Sequence, residues 1–280
     1  MTAEDGNRIS SLGPIGTFLR VGFCSEMMCH VLNRAYGCPL KLEERAARPL
    51  AGGIMRHGYQ CGMIWGSALA AGAEAHRRFG AGPEAEARAV VAARRLFDAF
   101  RAQNRHTDCF DITDVDNHSS ALKMVAVFLL KGQTISCFRM AARYAPVALR
   151  EIDAAMSEPA VEAPPAPASC AAMLARRMGA SDQHAVMAAG LAGGIGLSGG
   201  ACGALGAAIW IDAMRVVEEG GKVPFKSPRA LDAIGRFLKC TGYEFECSQI
   251  AGRKFESIGD HAGYLRDGGC AKVLDVLAAS

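Results

Sequence analysis

The segment LAGGIMRHGYQCG at residues 50–62 returns as LAGGIGLSGGACG at 191–203. Leu-Ala-Gly-Gly-Ile, a glycine three residues before the cysteine, and the closing Cys-Gly all recur at the same spacing. Neither version can sit inside a regular helix or strand, because each glycine there sacrifices about 0.5–1 kcal/mol of backbone entropy relative to alanine. Glycine is instead the residue for a turn that needs positive φ or a close backbone approach. Both turns run into Ala-rich, strongly helix-forming sequence. A chain that makes this turn twice is expected to build the same local architecture twice.

The cysteines extend the repeat. Cys24 in CSEM pairs with Cys170 in CAAM, Cys61 with Cys202 inside the turn motif, Cys109 in CFDI with Cys247 in CSQI, and Cys137 with Cys270 at the last helix of each half. The expected arrangement is an internal duplication of a unit of about 110–130 residues, longer than any solenoid repeat. The stretch SEPAVEAPPAPAS at 157–169 holds four prolines and reads as an extended linker. The domains expected are therefore 1–156, a Pro-rich linker at 157–169, and 170–280. Cys29, Cys38 and Cys240 fall outside the pattern and read as small apolar residues of a core.

Helical periodicity runs nearly throughout, and no period-two strand series is present. Helices are expected near 18–36, 41–51, 61–79, 84–102, 119–131, 140–156, 170–178, 182–192, 202–219, 228–239 and 270–279. The fold class is all-α, two homologous helical bundles of five or six helices each, packed face to face. Ala185 to Ile211 is uncharged over 27 residues, which is long enough to cross a membrane. Eight glycines interrupt it, and its counterpart in the first half carries Arg48, Arg56 and His57, so a buried core segment is expected.

The order of a cysteine, a glycine turn with Cys-Gly, and two further single cysteines resembles the C_GCAxxG_C_C family of redox-active proteins. Cys61-Gly62-Met63-Ile64-Trp65-Gly66 is close to the family core; in Cys202-Gly203-Ala204-Leu205-Gly206-Ala207 the closing glycine is replaced by Ala207. The resemblance implies a helical domain with thiol redox chemistry or cluster binding, and it names no substrate.

Eleven cysteines in a chain with no signal-like start point to metal or redox chemistry in a reducing cytoplasm. A cysteine in the first turn of a helix gains thiolate character from the free N–H groups there, so Cys61 and Cys202 are the expected reactive thiols. Gly58, Gly62, Gly199 and Gly203 would let a cofactor or a second helix approach them. As ligands, Cys24, Cys61, Cys109 and Cys137 in one half and Cys170, Cys202, Cys247 and Cys270 in the other would each hold an iron–sulfur cluster, of the two-iron type, passing electrons to an unknown redox partner protein. Two alternatives stay open: a metal-free thiol–disulfide oxidoreductase, and a zinc-stabilised interaction module. Net charge of +3 with interspersed acids and bases gives no nucleic-acid footprint. No membrane association is expected, and homo-oligomer formation is left open. The acidic run Asp108, Asp111, Asp114 and Asp116 reads as a solvated turn, and His57 and His106 as surface or capping residues.

Overall fold

The computed structural model describes residue 9 and residues 12–279 apart from 160 and 162; the N-terminal stretch read above lies outside the described residues. Among the described residues the chain forms fifteen α-helices and no strand, only two isolated β-bridges. The first half contains α1 (Leu12–Val21), α2 (Cys24–Ala35), α3 (Lys41–Ala46), α4 (Gly62–Phe79), α5 (Pro83–Gln103), α6 (Cys109–Thr113), α7 (Ala121–Val125) and α8 (Gln133–Met156). The second contains α9 (Cys170–Arg177), α10 (Asp182–Ala189), α11 (Gly203–Glu218), α12 (Pro228–Cys240), α13 (Cys247–Ile250), α14 (Ile258–Arg266) and α15 (Ala271–Ala278).

Several boundaries differ from expectation for identifiable reasons. The helix expected over 18–36 is two, broken where Gly22 takes positive φ and Phe23 turns extended. That break makes Cys24 the first residue of α2 rather than an interior one. The helix expected over 119–131 is α7 followed by a π-helical turn, Ala126–Leu130. Helix α8 starts seven residues before the expected 140 and carries Pro146 inside it. Helix α14 was not expected; Ser257 caps it by accepting from the Asp260 N–H.

The glycine motif is the architectural centre of each half. Gly52, Gly53, Ile54, Met55 and Arg56 all have positive φ, as do Gly193, Gly194, Ile195, Gly196 and Leu197. Each run is therefore one turn of left-handed helix. Such a turn costs roughly 1–2 kcal/mol for every residue that is not glycine. The same hydrogen bonds close both turns: Met55 N–H to Pro49 O and Gly196 N–H to Gly190 O, Gly58 N–H to Gly52 O and Gly199 N–H to Gly193 O. Each turn then pairs with the segment before the third cysteine, through the bridges Gln60↔Asp108 and Ala201↔Glu246. This left-handed turn also interrupts the uncharged 185–211 stretch, and no single helix among the described residues is long and apolar enough to cross a membrane.

One hydrophobic core runs through both halves. Helix α4 packs on α2 and α5 on one side and on α10 of the other half; α11 packs reciprocally on α3. Across the join, Gln60 donates to Gly194 O and accepts from Ala201 N–H, His184 hydrogen-bonds Glu43, and the Trp210 indole donates to Glu43 O. The Trp65 ring fills the space where Gly206 has no side chain; a Cβ there would lie 2.2 Å from it.

Candidate functional site

Four cysteines separated by more than a hundred residues of chain meet at one cavity. Cys24, Cys61, Cys109 and Cys137 all line a space of about 580 Å³. Cys24 opens α2, Cys61 caps α4, Cys109 opens α6, and Cys137 lies one turn into α8. The aromatic wall is Phe18, Phe23, Phe128 and Phe138, with Phe225 supplied by the second half.

The glycines bring the sulfurs close. A Cβ on Gly62 would stand 2.5 Å from Cys24 Sγ and 2.9 Å from Ala51 Cα, and one on Gly66 would stand 2.1 Å from Ser25 O. Only a bare backbone lets α4 slide under the start of α2 at this distance. Gly58 and Gly199 adopt positive φ beneath Phe110 and Ser248, and Gly203 abuts Leu191 O. At Gly58, Gly62, Gly199 and Gly203 the structure shows helix and turn packing.

The thiol with the lowest pKa is Cys24, pulled down to about 7. The largest cause is a hydrogen bond from Cys61; the N–H groups of Gly52, Ser25 and Cys24 itself add to it, against burial. Cys61 moves the other way, pushed well up because its proton serves the Cys24 sulfur and because it is buried. The two cysteines thus share one thiolate, with Cys24 favoured as its seat where the sequence alone favours Cys61. The glycine turn does stabilise a thiolate with a backbone N–H, but it aims that N–H at Cys24, while Cys61 acts as the donor. Sequence reasoning missed this because the break at Gly22–Phe23, which puts Cys24 on a helix N-terminus, was read as helix.

The other two cysteines of the cavity are neutral thiols. Burial and then the charge of Cys24 push Cys109 up to about 12 and Cys137 up to about 11. Asp108, which precedes α6, is pushed up to about 6 by burial and by the charges of Asp111 and Glu246, so this part of the acidic run is not freely solvated.

The second set, Cys170, Cys202, Cys247 and Cys270, is also gathered: Cys247 lies within reach of the charges of the other three, Cys170 of those of Cys270 and Cys202, and Cys202 of that of Cys270. Burial dominates there. It pushes Cys202 up to about 12 and raises Cys170, Cys247 and Cys270 as well. The Gly193 N–H points at Cys170 as Gly52 does at Cys24, yet no thiol donates to Cys170. Cys202 is therefore not a low-pKa thiol either, contrary to expectation. Cys29 is buried and raised, as a core thiol should be. His57 hydrogen-bonds Ile54 O and stacks on Phe245, 5.4 Å between centroids; His106 lies 3.9 Å from Asp111.

Among the described residues no three His, Cys, Asp or Glu side chains converge as a metal-binding group. The first four cysteines line a common cavity without forming such a group, so as they stand they are not the tetrahedral thiolate sphere of zinc or of an iron–sulfur cluster. All eleven cysteines are free thiols.

Residues 23–148 match the family model described as "Putative redox-active protein (C_GCAxxG_C_C)". No curated protein and no solved structure matches the chain.

Proposed function

We propose, on the match of residues 23–148 to the C_GCAxxG_C_C family model, that this protein is a thiol–disulfide redox protein whose working pair is Cys24 and Cys61. The observation that carries the reading is the hydrogen bond from the Cys61 thiol to a Cys24 sulfur whose pKa is about 7, at the wall of an open cavity. A pKa near ambient pH is the optimum for an attacking thiol, because thiolate fraction and intrinsic nucleophilicity pull in opposite directions.

In the reaction, Cys24 thiolate attacks one sulfur of a disulfide-bearing partner, the partner's S–S bond breaks, and the leaving sulfur takes a proton. Cys61, after giving up its proton, attacks the Cys24 sulfur, forms the Cys24–Cys61 disulfide and releases the partner's second sulfur as a thiol. Two electrons pass from the protein to the partner, together with the one proton of Cys61 and one proton from solvent. Cys109 and Cys137, held as neutral thiols, leave the pair unchallenged as nucleophiles.

The second half reads as a further copy of the domain. Supporting this are the recurring left-handed turn, the matching hydrogen bonds, and contacts between equivalent positions: Gln60 with Ala201, Trp65 with Gly206, Glu43 with His184. Self-matched contacts of this kind characterise a twofold interface, here between two copies fused into one chain. Its raised thiols support a structural role for Cys170, Cys202, Cys247 and Cys270.

The test is purification without oxygen, assay of iron, acid-labile sulfide and zinc, and then mild oxidation with disulfide mapping. The proposal expects metal-free protein and a Cys24–Cys61 peptide cross-link. Iron and sulfide in near-equal amounts would overturn it and establish the cluster reading instead.

A further inference from the structure

The cavity that Cys24 lines contains one cationic side chain, Arg56. Its only hydroxyl-bearing neighbours in the wall, Thr113 and Thr134, spend their protons on Cys109 O and Phe128 O. Arg56 makes no ion pair among the described residues. Its Nε is buried with no hydrogen-bond partner, its Nη1 faces only the sulfur of Met124, and its guanidinium carbon stands 5.5 Å from the Phe225 ring centroid. A buried, unsatisfied donor on a charged group is costly and calls for an explanation. Arg56 ends the left-handed run at φ +66°, as Leu197 does at +63° in the second half, so the turn fixes the backbone in both and the charge is what sets Arg56 apart.

We propose that this cavity binds a small amphipathic carboxylate, with the acid group on Arg56 and the apolar body along Phe18, Phe128 and Phe138. A guanidinium is a planar fork that matches a carboxylate with two parallel hydrogen bonds. The volume, about 580 Å³, lies within the roughly 300–1,000 Å³ of small-molecule sites. Leu19, which lines it, and Leu122, Leu129 and Leu130, which flank the lining residues Met124 and Phe128 in sequence, are all 69–83% exposed. A fully polar anion would gain nothing from such walls. The inference rests on the cavity and Arg56, and it stands or falls apart from the thiol-exchange reading.

Calorimetric titration of the intact chain with octanoate and, separately, octanamide tests it. The two probes share length and shape and differ in charge, and neither carries sulfur, so no thiol chemistry enters the signal. Octanoate is expected to bind at least tenfold more tightly than octanamide, and Arg56→Met to abolish the difference while leaving octanamide binding unchanged. Equal affinity of the two probes for the unmodified protein, or no binding of octanoate at millimolar concentration, overturns the proposal without recourse to a variant. Arg56→Lys, which keeps the charge and loses the fork, is expected to retain part of the preference; a preference undiminished in both variants would also overturn it.

Discussion

Replacing Cys61 with alanine removes the one side-chain donor to the Cys24 sulfur and little else, because the N–H groups of Gly52, Ser25 and Cys24 belong to the backbone. A hydrogen bond to a charged acceptor contributes about 1.5–3 kcal/mol. At 1.36 kcal/mol per pKa unit, its loss raises the pKa of Cys24 by about 1–2. Starting from about 7, the thiolate fraction at pH 7 falls from about one half to between about a tenth and a hundredth. Alkylation of Cys24 by iodoacetamide at pH 7 should therefore slow by about 5- to 50-fold in Cys61→Ala. The assay is the rate of Cys24 modification, read by peptide mass spectrometry from pH 5 to 10. In the unmodified protein the rate should be half-maximal near pH 7; in the variant the midpoint moves up, while the plateau at high pH is kept. If the midpoint stays where it was, the helix N-terminus and the Gly52 N–H suffice to hold the thiolate, and the pairing of Cys61 with Cys24 argued above is wrong.

Other consequences follow from the packing. Gly66→Ala places a methyl 2.1 Å from Ser25 O and Gly62→Ala one 2.5 Å from Cys24 Sγ; each should lower stability in urea by about 1–3 kcal/mol, with the Gly62 change also slowing Cys24 alkylation. Gln60→Ala leaves Ala201 N–H buried without its partner, while Gly194 O keeps the Ser198 hydroxyl as donor; it should cost about 1–3 kcal/mol in the same assay, the cost of one orphaned group. His261 is buried against Phe255, with its pKa lowered to about 4 by desolvation. Its neutral form is the one the folded state favours, so the unfolded chain binds the extra proton and stability drops as pH falls from about 6.5 to about 4. Urea melts at pH 7 and pH 4.5 should show a smaller acid loss in His261→Phe than in the unmodified chain.

The helical class, the duplicated glycine turn and the gathering of each set of four cysteines were legible in the sequence because each leaves a local mark. Alanine-rich periodicity marks α4, α5 and α11, and cysteines at ordered spacings mark the convergence. Which sulfur would be charged left no such mark. It depends on Gly22 breaking α1 from α2, on Gly62 and Gly66 drawing α4 against Ser25, and on Cys61 being turned toward Cys24. These are tertiary facts, and the residues involved read equally well as ordinary helix. Arg56 was visible only as a charge that argued against a membrane span. That it enters an apolar cavity depends on the left-handed turn, whose handedness at Ile54, Met55 and Arg56 no propensity would suggest. The second set of cysteines shows the converse: its order matches the first, yet burial leaves all four protonated.

The central claim is that one dithiol, Cys24 with Cys61, carries the redox chemistry of the chain. Equilibration of the protein across a series of glutathione buffers, followed by trapping and counting of free thiols, measures this directly. The account expects one two-electron transition that disappears in Cys24→Ser and in Cys61→Ser and persists unchanged in Cys170→Ser. A transition that survives the loss of Cys24, or that disappears with Cys170, would contradict it.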